Sequence, residues 1–241
     1  RPLLEALTPH HQLFRPDARG HGGHLLSVTQ TPDVARLARD VENLLDHYQL
    51  DKVAVVGHSM GALTLWQYIR DHGCERLSQI CIIDQSPRLV TDATWSNGIY
   101  GDFDAARSQA LIDDLEKDFA EAVLRLIAYG LNDRSRETYE RNSSGWQDSR
   151  KNLQKLDPQP QISIWKSLVA ADYRDVMPLI KVPTLLSFGA QSNFYTAATA
   201  QYLLTHIANA RLSCYEGADH CPQLIAPQRF TAELVELLAI G

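Results

Sequence analysis

A serine framed by two glycines, in the stretch VVGHSMGAL from Val55 to Leu63, is the residue of this chain best suited to nucleophilic chemistry. A serine hydroxyl attacks at neutral pH only when it is exposed, sharply positioned and relieved of its proton by a base. Gly57-His58-Ser59-Met60-Gly61 is a G-x-S-x-G pattern between an apolar run and a helix-like segment, the context in which the pattern is informative. Small residues two before and two after the serine are expected to relieve crowding in a tight strand-to-helix turn, so that the hydroxyl projects above a sheet. The following helix offers its amino end, where the Met60 backbone N–H is placed to donate to a developing oxyanion. The competing reading is a glycine-flanked turn with an inert serine.

The base must come from elsewhere. Of the nine histidines, His220 in GADHCPQL lies just beyond the last strand-like run and before a helix-like tail. Strand ends on one edge of a parallel sheet converge on one crevice, so Ser59 and His220 can meet despite their separation. The plainer alternative is a loop histidine with a local hydrogen bond.

Such a sheet is visible in the pattern. Short apolar runs at 11–17, 52–57, 79–84, 183–189 and 210–217 alternate with amphipathic segments, as expected for parallel strands buried on both faces by helices. Residues 32–48 place Val34, Leu37, Ala38, Val41, Leu44 and Leu45 on one helix face, and a helix over 60–71 follows the serine directly. Between 88 and 171 the alternation stops in polar, helix-forming sequence broken by NSSGWQDS and LDPQPQ. We read this as a helical cap inserted into a core formed by 1–87 and 172–241. The fold class is therefore α/β, a mostly parallel sheet with flanking helices and a cap.

Composition narrows the partner. With 23 basic and 29 acidic residues, a net charge of -6 and no block of like charge, the chain carries no footprint for nucleic acid or an anionic membrane. No run approaches a membrane span, and no signal-peptide pattern begins the chain. Cys74, Cys81, Cys214 and Cys221 lie far apart, which argues against a zinc site or a disulfide scaffold and makes reduced thiols in the cytoplasm the default. A small organic molecule is the expected partner.

Together with RPDARGHG (15–22) and YRDVMPLIKVPTLLSFG (173–189), these features resemble the α/β-hydrolase family across nearly the whole chain. Within it the chain is similar to the esterase, lactonase and cofactor-free haloperoxidase-like group, with IDQSPRL (83–89) and TWSNGIYG (94–101) reminiscent of chloroperoxidase-like members. The resemblance implies a small ester or lactone as substrate, an acyl-enzyme on Ser59, His220 as base, and no metal or organic cofactor. Hydrolysis of C–C bonds and perhydrolysis use the same residues, and a non-catalytic ligand-binding role is a further alternative.

The chain departs from the family pattern twice. Members often carry an aspartate after the strand matching 183–189, but here GAQSNFY places Ser192 and Asn193, neither of which carries charge. Asp84, ending the preceding strand, is the favoured acid, because some relatives place it there and it keeps the order Ser, Asp, His. The alternatives are a turn role for Asp84, Asp219 as acid, or Asn193 as a neutral partner of the histidine. The second departure is at the start, where the family's preceding strand and His-Gly loop, source of the second oxyanion donor, are expected before residue 1.

Other residues leave two readings open. His58 either lines the pocket or packs, and with Trp95 it is the candidate substrate contact. Trp95, Tyr100, Trp146 and Trp165 either roof the substrate or form core. His21 is expected to be structural within a glycine-rich bend, and its pairing with His24 is a weak metal signal without a third ligand.

Overall fold

The computed structural model of the protein describes residues 2–22, 24 and 31–239. In chain order the elements are α1 (Pro2–Leu7), α2 (Val34–His47), β1 (Val53–His58), α3 (Met60–His72) and β2 (Leu77–Ile83). Next come α4 (Ala105–Lys117), α5 (Phe119–Ala128), α6 (Asp133–Glu140), α7 (Ser144–Leu153) and α8 (Pro158–Ala170). The chain ends with β3 (Thr184–Gly189), α9 (Ala197–His206), β4 (Ala210–Tyr215), α10 (Pro222–Ile225) and α11 (Pro227–Leu238).

The strands form one parallel, four-stranded sheet in the order β1-β2-β3-β4. Successive side chains of a strand point to opposite faces, and β2 shows it directly. Ile80 and Ile82 pack with Leu65, Trp66 and Ile69 of α3 on one face, whereas Cys81 and Ile83 pack with Phe230, Leu234 and Leu237 of α11 on the other. Helices on both faces bury the strand from Gln79 onward, which is why residues 80–83 are a continuous apolar run. The parallel order sends every strand's carboxyl end to one edge, where the loops after β1, β2, β3 and β4 gather.

Helix starts follow local chemistry. Asp33, Asp104, Asp118, Asn132 and Asp157 each accept a backbone N–H from the first turn of α2, α4, α5, α6 and α8, satisfying donors that a helix cannot pair internally.

One expected strand is absent. Residues 11–17 run without a ladder, mostly exposed, with Leu13 against the Phe230 cluster and the Phe14 ring tilted against Tyr48 at 4.7 Å. Among the described residues no strand lies beside this stretch, and Pro16 lacks the N–H a ladder needs. Among the described residues β1 is therefore an edge strand, with Val56 51% exposed. Helices α4 to α8 lie between β2 and β3 in sequence, and α8 joins the main core through Ile164 and Leu168. No helix among the described residues is long and apolar enough to cross a membrane.

Candidate active site

Ser59 sits at the turn between β1 and α3 with φ 53° and ψ −121°. A non-glycine residue in this region is strained by about 1–3 kcal/mol, and the surrounding structure must hold it there. Its N–H reaches the carbonyl of Ile83 at 3.3 Å, and its own carbonyl accepts the Ala62 N–H at 2.9 Å. Gly57 is required by space, because a Cβ there would come within 2.8 Å of the Ala62 Cα. At Gly61 the expectation fails: a Cβ would meet nothing within 4 Å, so crowding does not explain that glycine. Met60 opens α3, so its N–H has no partner within the helix and is free for a ligand.

Asp84 follows the last residue of β2 in a left-handed conformation, φ 44°, and is fully buried. Its N–H donates to the Ser187 carbonyl at 2.9 Å, which fixes it against β3. Oδ1 accepts the Gly189 N–H at 3.2 Å, and Oδ2 accepts the Ser192 hydroxyl at 2.6 Å. The same Oδ2 lies 2.6 Å from Nδ1 of His220. Three donors thus converge on this buried carboxylate, and with Nδ1–H turned to Oδ2 the Nε2 of the neutral ring is left as the acceptor.

His220 lies in the loop after β4, its side chain 13% exposed. Its N–H meets Oδ1 of Asn193 at 3.4 Å, and its ring is flanked by Phe194, edge-on at 4.6 Å, and by His58 at 4.7 Å. The His58 Nε2–H donates to the His220 carbonyl at 2.9 Å. Burial holds the His58 imidazole below its ordinary pKa, and the neighbouring His220 pushes the same way. His58 is therefore a neutral donor that fixes the His220 backbone. The loop comes this close to β3 only because residue 189 is glycine: a Cβ there would fall 1.8 Å from the Asp219 carbonyl oxygen.

Ser59, Met60 and His220 line one cavity of about 420 Å³. Its remaining wall is mainly apolar, with Leu115 of α4, Val123 and Ile127 of α5, and Trp165 and Leu168 of α8. Such an arrangement, a strained serine and a carboxylate-oriented histidine on one mainly apolar pocket, suits acyl transfer through an oxyanion.

The structure thus brings Ser59, Met60, Asp84 and His220 to one place. It does not do so for the two residues expected to touch substrate. Neither His58 nor Trp95 lines this cavity: His58 is turned to the His220 backbone, and Trp95 donates to the Arg88 carbonyl at 2.9 Å and packs edge-on against Tyr202. Trp165 does line it, whereas Tyr100 packs on Phe194. Asp219 lines the cavity too, but its Oδ1 accepts the Cys221 N–H at 2.8 Å. Asn193 holds the histidine's backbone instead of its ring. His21, expected to be structural, lines the cavity.

Ser192 was the residue hidden from sequence reasoning. It occupies the place where the family pattern puts its aspartate, and it donates to the aspartate that stands at 84 instead. Its oxygen also accepts the N–H groups of Phe194 and Tyr195, each at 3.2 Å. The available signal was positional, an alcohol three residues beyond Gly189.

Comparison with known proteins agrees with this geometry. The sequence profile described as "Alpha/beta hydrolase family" matches residues 1–233. The chain is 25% identical to 3-oxoadipate enol-lactonase 1 of Acinetobacter baylyi, covering 95% of this chain and 79% of that one. It is 27% identical to a pimeloyl-[acyl-carrier protein] methyl ester esterase of Aromatoleum aromaticum, covering 94% and 88%. A bromoperoxidase from Bacillus anthracis superposes with a TM-score of 0.79 at 18% identity, covering 92% of this chain and 80% of that one, a likeness of fold. By this match along nearly its whole length, the chain belongs to the alpha/beta hydrolase family.

Proposed function

We propose that the protein is a serine hydrolase of small carboxylic esters or lactones, acting through an acyl-enzyme on Ser59. The observation that carries this reading is the Asp84–His220 pair at 2.6 Å, set on the cavity that also exposes the Ser59 elbow. A base oriented in this way serves a nucleophile and has little use in a purely binding pocket. The relatives named as an enol-lactonase and a methyl ester esterase support the substrate class.

In the reaction, Nε2 of His220 takes the Ser59 proton as Oγ bonds to the carbonyl carbon, and the carbonyl π pair moves onto oxygen. The Met60 N–H receives that oxyanion, and Asp84 stabilises the imidazolium. Collapse breaks the bond to the alkoxy oxygen, which takes the proton from Nε2 and leaves as an alcohol. Water then repeats the sequence on the acyl-serine, with His220 as base and then as acid, and releases a carboxylic acid. Each turnover consumes one ester and one water.

The test is labelling of the folded protein with a fluorophosphonate, with peptide mass spectrometry and a Ser59→Ala control. An adduct on Ser59 is expected, with loss of ester turnover in the variant. Well-folded protein that takes no label would refute the proposal.

A further inference from the structure

A second cavity adjoins the catalytic one. On the side of His220 the catalytic cavity shares Asn193, Asp219, Val123, Ile127, Leu153 and Leu156 with this space of about 830 Å³. This second cavity lies among α5, α6, α7 and the loops after β3 and β4.

The two cavities differ in chemistry. Around Ser59 the wall is almost wholly aliphatic and aromatic, whereas the larger space adds Ser143, Ser149, Asn152 and Arg134 to a lining that is still mainly apolar, with Leu124, Trp146 and Ile225. Neighbouring cations of the same helices are neutralised: Arg136 pairs with Asp133, Arg141 with Glu137 at 3.3 Å, and Arg150 with Glu121 at 2.9 Å. Among the described residues no carboxylate pairs with Arg134, and Ser143, the N-cap residue before α7, makes no side-chain capping bond. The carboxylate that does line this space, Asp219, spends one oxygen on the Cys221 N–H.

Reaction geometry decides which half of a substrate enters. The leaving oxygen must receive its proton from His220, so the alcohol half lies on the histidine side, where the second cavity begins. The acyl half is left to the apolar space beside Met60 and Leu63. We propose that the larger cavity is a leaving-group site for a hydrophilic, anionic alcohol, its carboxylate or phosphate set against Arg134. The preferred substrate is then an ester or lactone with an apolar acyl half and an anionic alkoxy half. This rests on the assignment of Ser59 as nucleophile.

The experiment compares phenyl butyrates that differ only in one group insulated from the ring: 4-carboxymethyl, 4-phosphonomethyl, neutral 4-(2-hydroxyethyl) and cationic 4-(trimethylammoniomethyl). The kcat/KM of the anionic esters should exceed that of the neutral one by about fivefold, the upper range for an exposed charge pair, with the cationic ester poorest. The carboxylate and phosphonate arms separate the two sources of charge. In Arg134→Gln the ratio of anionic to neutral ester should fall to about one, in Arg134→Lys it should persist, and in 1 M salt, where screening acts over about 3 Å, it should shrink. Equal rates for all esters, or an anionic preference unchanged in Arg134→Gln, would overturn the proposal.

Should no ester turn over and Ser59 take no fluorophosphonate, the hydrolase reading fails and the cavity is judged by binding alone. The probes are 8-anilinonaphthalene-1-sulfonate and its neutral counterpart N-phenyl-1-naphthylamine. Weaker binding of the sulfonate alone in Arg134→Gln supports the anion site, and identical affinities in the two proteins remove it.

Discussion

Replacing Asp84 by asparagine tests the proposed mechanism most directly, because the structure dictates what the amide must do. Oδ2 receives two donors, the Ser192 hydroxyl and Nδ1–H of His220, and Oδ1 receives the Gly189 N–H. An amide has one oxygen and one NH2, so one corner must turn from acceptor to donor. If the NH2 takes the Oδ2 corner, it faces Nδ1–H, and the ring relieves the conflict by moving its proton to Nε2. The base then cannot accept the Ser59 proton. If the NH2 takes the other corner, the buried Gly189 N–H loses its partner, at about 1–3 kcal/mol, and the imidazolium still lacks a counter-charge. Either way kcat/KM should fall by about 10³ to 10⁴, or roughly 4–5.5 kcal/mol of transition-state stabilisation. The assay is steady-state hydrolysis of p-nitrophenyl butyrate, with circular dichroism to verify the fold. A loss of less than about tenfold in folded Asp84→Asn would refute the role argued for this carboxylate.

Further outcomes follow from the same contacts. Because Ser192 Oγ lies 2.6 Å from Oδ2, Asp84→Asn/Ser192→Asp should recover at least tenfold of the activity lost by Asp84→Asn, about 1.4 kcal/mol; no recovery would show that a charge at 192 cannot serve the ring. Gly189→Ala drives a methyl into the Asp219 carbonyl, so thermal denaturation should reveal about 1–3 kcal/mol of destabilisation, together with reduced turnover from a displaced His220. Buried His58 has a folded pKa below its unfolded value, so the unfolded chain binds the extra proton and stability should decline as pH falls below about 6.5. Denaturant midpoints across that window should vary less in His58→Gln, and an unchanged slope would remove His58 as the source.

The runs at 52–57, 79–84, 183–189 and 210–217 were legible as β1 to β4 because each is short, rich in apolar residues and set between amphipathic segments, although only β3 is buried at every position. The run at 11–17 shows the limit of that logic. Its residues have the makings of a strand, but a strand exists only where another supplies hydrogen bonds, and nothing in HQLFRPD reports the neighbour. Helix α2 was legible within two residues at its start because Asp33 both caps it and precedes its apolar stripe.

The elbow was legible because its chemistry is local: the turn, the strain at Ser59 and the space at Gly57 all arise within a few residues. The setting of His220 is not local. It depends on Asp84 from the end of β2, on Ser192 from the loop after β3, and on a glycine at 189 that lets the last loop approach. Residue order favoured Asp84 as the acid but left a turn role, Asp219 and Asn193 open and gave Ser192 no part, since aspartate and serine also serve as caps and turns. The roles separate only when the strands lie side by side: the negative charge sits at the end of β2, and the loop after β3 supplies the alcohol that steadies it. The same reasoning accounts for His58. At the centre of the elbow motif it reads as a substrate contact, yet a buried imidazole whose Nε2–H reaches the His220 carbonyl acts on the backbone of His220, not on the cavity.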